Sequence, residues 1–375
     1  MKGHARRLQQ ALCVVAALTL GLVVIPVVLE ARQASLLRPV PAPPPQRAEL
    51  VELGRLLFFD ERLSGDNALA CAYCHQPEQG WGDGQPLSEG YPGSPYFRNA
   101  PTLMNVLFQK QLYWDGRLAG ADLPTQVRDA LTEAHFMNAD GRLLQERLKQ
   151  VPEYVAMFER AFGKGDPSFG RILKAIAAFE RTLVSRNVPF DRYLKGDQTA
   201  LIDPAKHGLA LFTGKASCIR CHNGPLLSDG SYHALGVPEN PQIIEEPERH
   251  ITLRRFNRSL GVPNAVNIRE DIGRYAVTKA RTDWKAFRTP TLRELKYTAP
   301  YMHNGTLATL ADVVEFYNQG GGSATPKSPL LKSLRLTEDE KRALVAFLES
   351  LSGDPIVIEW PEELPDYEVR PFGKN

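Results

Sequence analysis

The chain has 375 residues, enough for two ordinary domains each with its own core. Charged residues make up 23 % and hydrophobic ones 43 %, which fits a soluble globular body. A net charge of +2 carries no basic excess and argues against a nucleic-acid partner.

The first 34 residues differ from the rest. Lys2, Arg6 and Arg7 form a short basic start, and residues 11–29 run without a charge. This reads as an export signal, or as an uncleaved N-terminal membrane anchor, since the run is about as long as a minimal membrane span. Ala31 and Ala34 offer only a poor cleavage site. Either way the body is expected in the periplasm, with the basic end left inside. Cys13 lies in the apolar run and reads as a small hydrophobe. A Pro-rich linker follows over 35–47 and is expected to be extended.

Helical spacing then runs through Leu53, Leu56 and Leu57 and leads into "CAYCH", Cys71 to His75. A Gly-rich loop extends to about residue 98, and helices are expected over 121–134, 140–163 and 167–186. "PAKHGLALF" predicts a short helix before a second group, "CIRCH", Cys218 to His222. Residues 224–288 carry few helix signals. Thr309 is a candidate N-cap with Gly320 to Gly322 as the stop, and Thr337 with Glu340 forms a capping box. The order helix, CxxCH, long loop, helix occurs twice. The expected fold is therefore mostly α, with related helical domains over 48–165 and 166–355 and a tail over 356–375.

Two thiols at this spacing can each bond one vinyl group of a haem, and the next residue, a histidine, then reaches the iron. C-x-x-C-H is the attachment signature of a c-type haem. A redox disulfide would not explain a histidine in the same place twice. A four-cysteine zinc site would need closer motifs than Cys71 and Cys218, which lie 147 positions apart. Two covalently bound haem c groups are expected, with His75 and His222 as proximal iron ligands.

Further motifs accompany these groups: "RNAPTLMN" and "LYWDGR" after the first, "FRTPTLRELKYTAPYMHNG" after the second. Over roughly 48–352 the chain resembles the bacterial dihaem cytochrome c peroxidase and MauG superfamily. The resemblance implies two cytochrome-c-like helical domains facing each other. It places Trp114 between the haems as a carrier of electrons or holes. It implies a bridging Ca2+ held by Asn99, Thr298 and Pro300, an oxygen set suited to a hard cation. Counting fourteen positions on from His303 reaches Tyr317, where the peroxidases have a methionine ligand and MauG a tyrosine. Tyr317 also lies on an apolar helix face with Leu310, Val313 and Val314, which by itself reads as core.

The loop before Asn99, "LSEGYPGSPYFR", has no histidine, so the iron at His75 is expected to keep an open position for peroxide. The family moves protons there with a glutamine, matched by Gln126, and a glutamate ten positions on, where this chain has Phe136. Glu133 and His135 are the nearby candidates for that role.

The resemblance implies a dihaem oxidoreductase of the peroxidase type. The branch it matches first is MauG-like: hydrogen peroxide generates a high-valent dihaem state that oxidises a residue of a partner protein. The second reading is a cytochrome c peroxidase that reduces peroxide to water with electrons from a small cytochrome c or copper protein. The third is a dihaem electron carrier without catalysis.

Overall fold

The computed structural model describes residues 36–120, 122–323 and 327–367. The apolar run at 11–29, with its signal-or-anchor alternatives, lies outside these residues. No helix among the described residues is long and apolar enough to cross a membrane.

The longer helices are α1 Ala48–Phe58, α2 Leu123–Thr132, α3 Gly141–Lys149, α4 Pro152–Phe162, α5 Phe169–Glu180, α6 Asp203–Thr213, α7 Pro247–Ser259, α8 Leu310–Asn318 and α9 Glu338–Glu349. Two small antiparallel ribbons join them. β1 (Gln111–Leu112) pairs with β2 (Leu118–Ala119), and β3 (Tyr232–His233) with β4 (Phe287–Arg288). Thr309 caps α8, in a box completed by Asp312, and Thr337 with Glu340 caps α9.

The halves repeat one construction. The helix that precedes each CxxCH packs against the last long helix of its half, α1 on α5 and α6 on α9. Each crossing is closed at a glycine. A Cβ on Gly54 would stand 2.0 Å from the Ala175 oxygen, and one on Gly208 would stand 2.0 Å from the Ala343 oxygen. Only a residue without a side chain permits this approach. Leu53, Phe58, Val127, Phe158 and Ile176 belong to the first core. Phe190, Phe212, Val314, Leu344 and Phe347 belong to the second. A third, with Phe97, Leu253, Phe256 and Ile272, draws on both halves of the chain.

Several expected elements change. The helix expected over 140–163 is two helices, because Pro152 forces Val151 into extended backbone (φ −107°, ψ 100°) and starts α4. Helix α5 ends at Glu180 and packs in the first core, so the boundary expected at residue 165 falls inside the segment that builds that core. The irregular stretch expected over 224–288 contains the thirteen-residue α7. Its buried face includes Arg249, Thr252 and Asn257 beside Leu253 and Phe256, so no clean apolar period marks it.

The linker and the tail are both docked. Leu37 lies in the second core, and Arg38 offers its carbonyl to Arg293 Nη2 at 3.1 Å. Ile356 and Ile358 pack on the first core, and Trp360 meets Phe59 edge to face at 5.1 Å.

Candidate dihaem site

Cys71–Cys74 form a single helical turn, and the His75 amide closes it by donating to the Cys71 carbonyl at 3.0 Å. In the second half the His222 amide donates to the Cys218 carbonyl at 2.9 Å. Each turn holds its thiols and its imidazole within one short segment. His75 Nδ1 donates to the Trp81 carbonyl at 3.0 Å, and His222 Nδ1 donates to the Leu227 carbonyl at 2.8 Å. Both carbonyls come from residues in left-handed backbone, φ 64° at Trp81 and 49° at Leu227. Burial pushes both imidazole pKa values down. A neutral ring with Nδ1–H engaged leaves the Nε2 lone pair for a metal, the arrangement that orients a ligating histidine.

The thiols fit tethering better than the rival chemistries. Burial pushes Cys71 up, Cys74 up to about 11 and Cys218 up to about 12. A redox dithiol needs the opposite shift. The two pairs line different cavities, so they do not meet in one zinc site. In each cavity two thiols and one imidazole share a wall with mostly apolar side chains, which fits a covalently held haem.

The larger cavity, about 490 Å³, is lined by Cys218, Cys221, His222, Phe212 and Tyr317 among others. The smaller, about 140 Å³, is lined by Cys71, Cys74, His75, Tyr113 and Gln126 among others. Trp114 lines both. Its indole Nε1 donates to the Asn99 carbonyl at 2.9 Å, and its own carbonyl accepts from the Arg288 amide at 2.8 Å.

A buried ion cluster holds this shared wall. Arg98 donates to Asp115 at 2.6 Å and to Asp271 at 2.5 Å, with all three side chains at most 1 % exposed. The cluster binds "RNAPT" to "WDGR" and to the segment before β4. Burial opposes ionisation of Asp115, but Arg117 and Arg98 outweigh it and hold the carboxyl at about 2. Asp115 is therefore a structural anion and not a proton carrier at neutral pH.

Of the residues expected at the second haem, Tyr317 lines the larger cavity. Burial pushes the Tyr317 phenol up. Asn99, Thr298 and Pro300 line the same cavity, and Asn99 Nδ2 donates to the Gln85 carbonyl at 2.7 Å. At the first haem, Gln126 lines the cavity with its buried Oε1 unpartnered. Glu133 and His135 are not among the residues that line it. They face each other, Oε2 to Nε2 at 2.9 Å, and Glu133 lies 3.7 Å from Arg117. Phe136 takes the place in the wall, because the turn after α2 directs residue 136 inward and leaves the Glu133 side chain 30 % exposed.

Two cavity residues had escaped the sequence reading. Glu180 is 4 % exposed, with Oε2 unpartnered, and burial pushes it up to about 8. Its one signal is a lone acid at the end of an apolar helix, "AIAAFE". Tyr113 precedes Trp114 and has its hydroxyl buried without a partner.

Known proteins similar to this chain identify its family. A di-haem cytochrome c peroxidase model matches residues 48–199. The chain is 56 % identical over 328 residues, 88 % of each chain, to cytochrome-c peroxidase IdrP2 of Denitromonas iodatirespirans. It is 37 % identical over 325 residues, 86 % of this chain and 84 % of the other, to methylamine utilization protein MauG of Methylorubrum extorquens. It superposes on a MauG-like protein associated with microbial copper homeostasis with a TM-score of 0.71 at 29 % identity, covering 86 % of this chain and 95 % of that one. With two CxxCH turns, a shared aromatic wall and these relatives, the chain belongs to the di-haem cytochrome c peroxidase family and is a peroxidase-type oxidoreductase.

Proposed function

We propose that the protein reduces hydrogen peroxide at the His75 haem with electrons delivered through the His222 haem by a small cytochrome c or copper protein. The observation that carries this reading is Trp114, one indole in the wall of both cavities. When bound, each haem would supply an iron that exchanges electrons, and the one at His75 would take the peroxide. His75 and His222 hold the irons through Nε2, and the four thiols tether the rings. Tyr317 is the candidate second ligand at the His222 haem. Asn99 with the Thr298 and Pro300 carbonyls is the candidate seat for a calcium ion between the domains. Gln126 orients peroxide through its free Oε1. An exported location follows from the N-terminal signal reading.

A second reading is MauG-like: the equivalents taken from peroxide are drawn down by a residue of a protein substrate. Tyr317 favours it, because a hard anionic phenolate stabilises oxidised iron. The sequence alone ranks this reading first. The relative at 56 % identity is named a cytochrome-c peroxidase and MauG stands at 37 %, which supports the first reading.

The test mixes the haem-loaded protein with peroxide and a reduced small cytochrome c. Peroxide-dependent oxidation of the cytochrome, slowed in Trp114→Phe, supports the first reading. An inert cytochrome, with the enzyme's own spectrum changed by peroxide and restored by a tyrosine- or tryptophan-bearing protein substrate, supports the second. No response of either haem to peroxide overturns both.

A further inference from the structure

We propose that Tyr113 is the hydrogen-bond donor to peroxide in the His75 cavity, taking over the task of the carboxyl that Phe136 replaces. The inference rests on the peroxide reading above.

The wall of this cavity offers two phenols, Tyr96 and Tyr113, and the Tyr96 ring is stacked on His135 with centroids 5.0 Å apart. Glu180 is the one carboxyl among its lining residues, and it sits beside Cys71, on the helix packed against α1. Gln126 offers an amide, which does not exchange protons readily. Tyr113 is different. It lines the cavity, and its hydroxyl is buried with no partner among the described residues. A buried hydroxyl left unpaired is costly, so a ligand that pairs with it is favoured.

The ring is also held in place. It lies parallel to Phe136 with centroids 6.3 Å apart, and the Arg117 guanidinium sits 3.5 Å above its centroid. Tyr113 has φ 64°, a left-handed backbone that a bulky residue rarely adopts. The same turn presents Trp114 to both cavities, so this backbone aims two adjacent side chains at the site. Burial pushes the phenol pKa up, with Arg117 opposing, so the hydroxyl keeps its proton at neutral pH.

A phenol can donate and accept at one atom. Hydrogen peroxide carries both protons that the departing water needs. Tyr113 Oη gives its proton to the oxygen that leaves and takes one from the oxygen that stays, and so ends unchanged. The leaving oxygen would depart with both electrons of the O–O bond, and a bound haem would supply the two electrons that the remaining oxygen needs. The Arg117 charge over the ring favours the donating role.

The experiment compares haem-loaded wild type, Tyr113→Phe, Tyr113→Phe/Phe136→Glu and Glu180→Gln. Two readouts are used: the rate of the first spectral change with peroxide, and fluoride affinity at the ferric His75 haem. Fluoride accepts hydrogen bonds but undergoes no chemistry. Tyr113→Phe removes one unpartnered oxygen, and an unchanged low-spin EPR signal from the second haem verifies its fold. The expected result is a rate lower by roughly 10²-fold or more and fluoride bound about tenfold more weakly. Phe136→Glu should restore much of the peroxide rate. Wild-type rate and fluoride affinity in Tyr113→Phe overturn the proposal, as does a loss of rate in Glu180→Gln with none in Tyr113→Phe. A wild type inert to peroxide overturns the peroxide reading instead, and fluoride then decides whether Tyr113 is the donor.

Discussion

Replacing Glu180 by glutamine should flatten the pH dependence of stability between about pH 5 and 8. The carboxyl is 4 % exposed, and its Oε2 meets no donor. Burial pushes it up to about 8, with Arg181 only partly opposing, from an ordinary value of 4.5. The unfolded chain therefore releases this proton near 4.5, while the folded chain holds it to about 8. Between those values the unfolded state binds fewer protons, so unfolding becomes easier as pH rises, by about 1.4 kcal/mol for each pH interval. From pH 5 to 8 this comes to about 3.5 kcal/mol, nearly complete once pH passes the folded value. Glutamine has nearly the same shape and no proton to lose. The assay is denaturant unfolding of the haem-loaded protein at several fixed pH values, followed at the haem absorption band. Wild type should lose stability over this window relative to Glu180→Gln. Parallel curves for the two proteins would refute the reasoning, because the carboxyl would then be solvated or paired in the folded state.

Gly208→Ala should destabilise by about 3 kcal/mol or more, since the new methyl meets a backbone oxygen that cannot turn aside; thermal unfolding measures it, and Gly54→Ala should behave alike. Asp271→Asn leaves the buried Arg98 with one carboxylate in place of two, at an expected cost of about 3 kcal/mol. Denaturant unfolding checks this, and a surface-like loss below 0.5 kcal/mol, as ordinary exposed substitutions show, would contradict it. Tyr317→Met should alter the low-spin EPR signal of the second haem and raise its reduction potential, as methionine ligation does; identical spectra would mean that Tyr317 is wall only. Chelation of calcium should slow peroxide-dependent cytochrome oxidation, with Ca2+ and not Mg2+ restoring it, because an oxygen-only site with carbonyl ligands suits the larger ion.

Much of the site's chemistry is local, and local chemistry is legible in a linear text. The Cys71–His75 and Cys218–His222 groups need only one turn of backbone to bring two thiols and an imidazole together. Thr309 and Thr337 cap helices through amides three residues away. The repeat of helix, CxxCH and terminal helix could be read because each piece carries its own period or cap. Helix α7 could not, since its buried face is partly polar and its partners lie far along the chain. Tertiary structure alone decided which groups remove water from which others. It paired Arg98 with Asp115 and Asp271, placed Trp114 in two walls, and left Tyr113 and Glu180 facing a cavity without partners. It also placed Phe136 in the cavity wall and set the Glu133 carboxylate against His135 and Arg117, a choice of register that motif spacing does not contain. The physical reason is range. Capping and haem-turn geometry act over a few residues, whereas desolvation and shared walls depend on segments that meet only when the chain is folded.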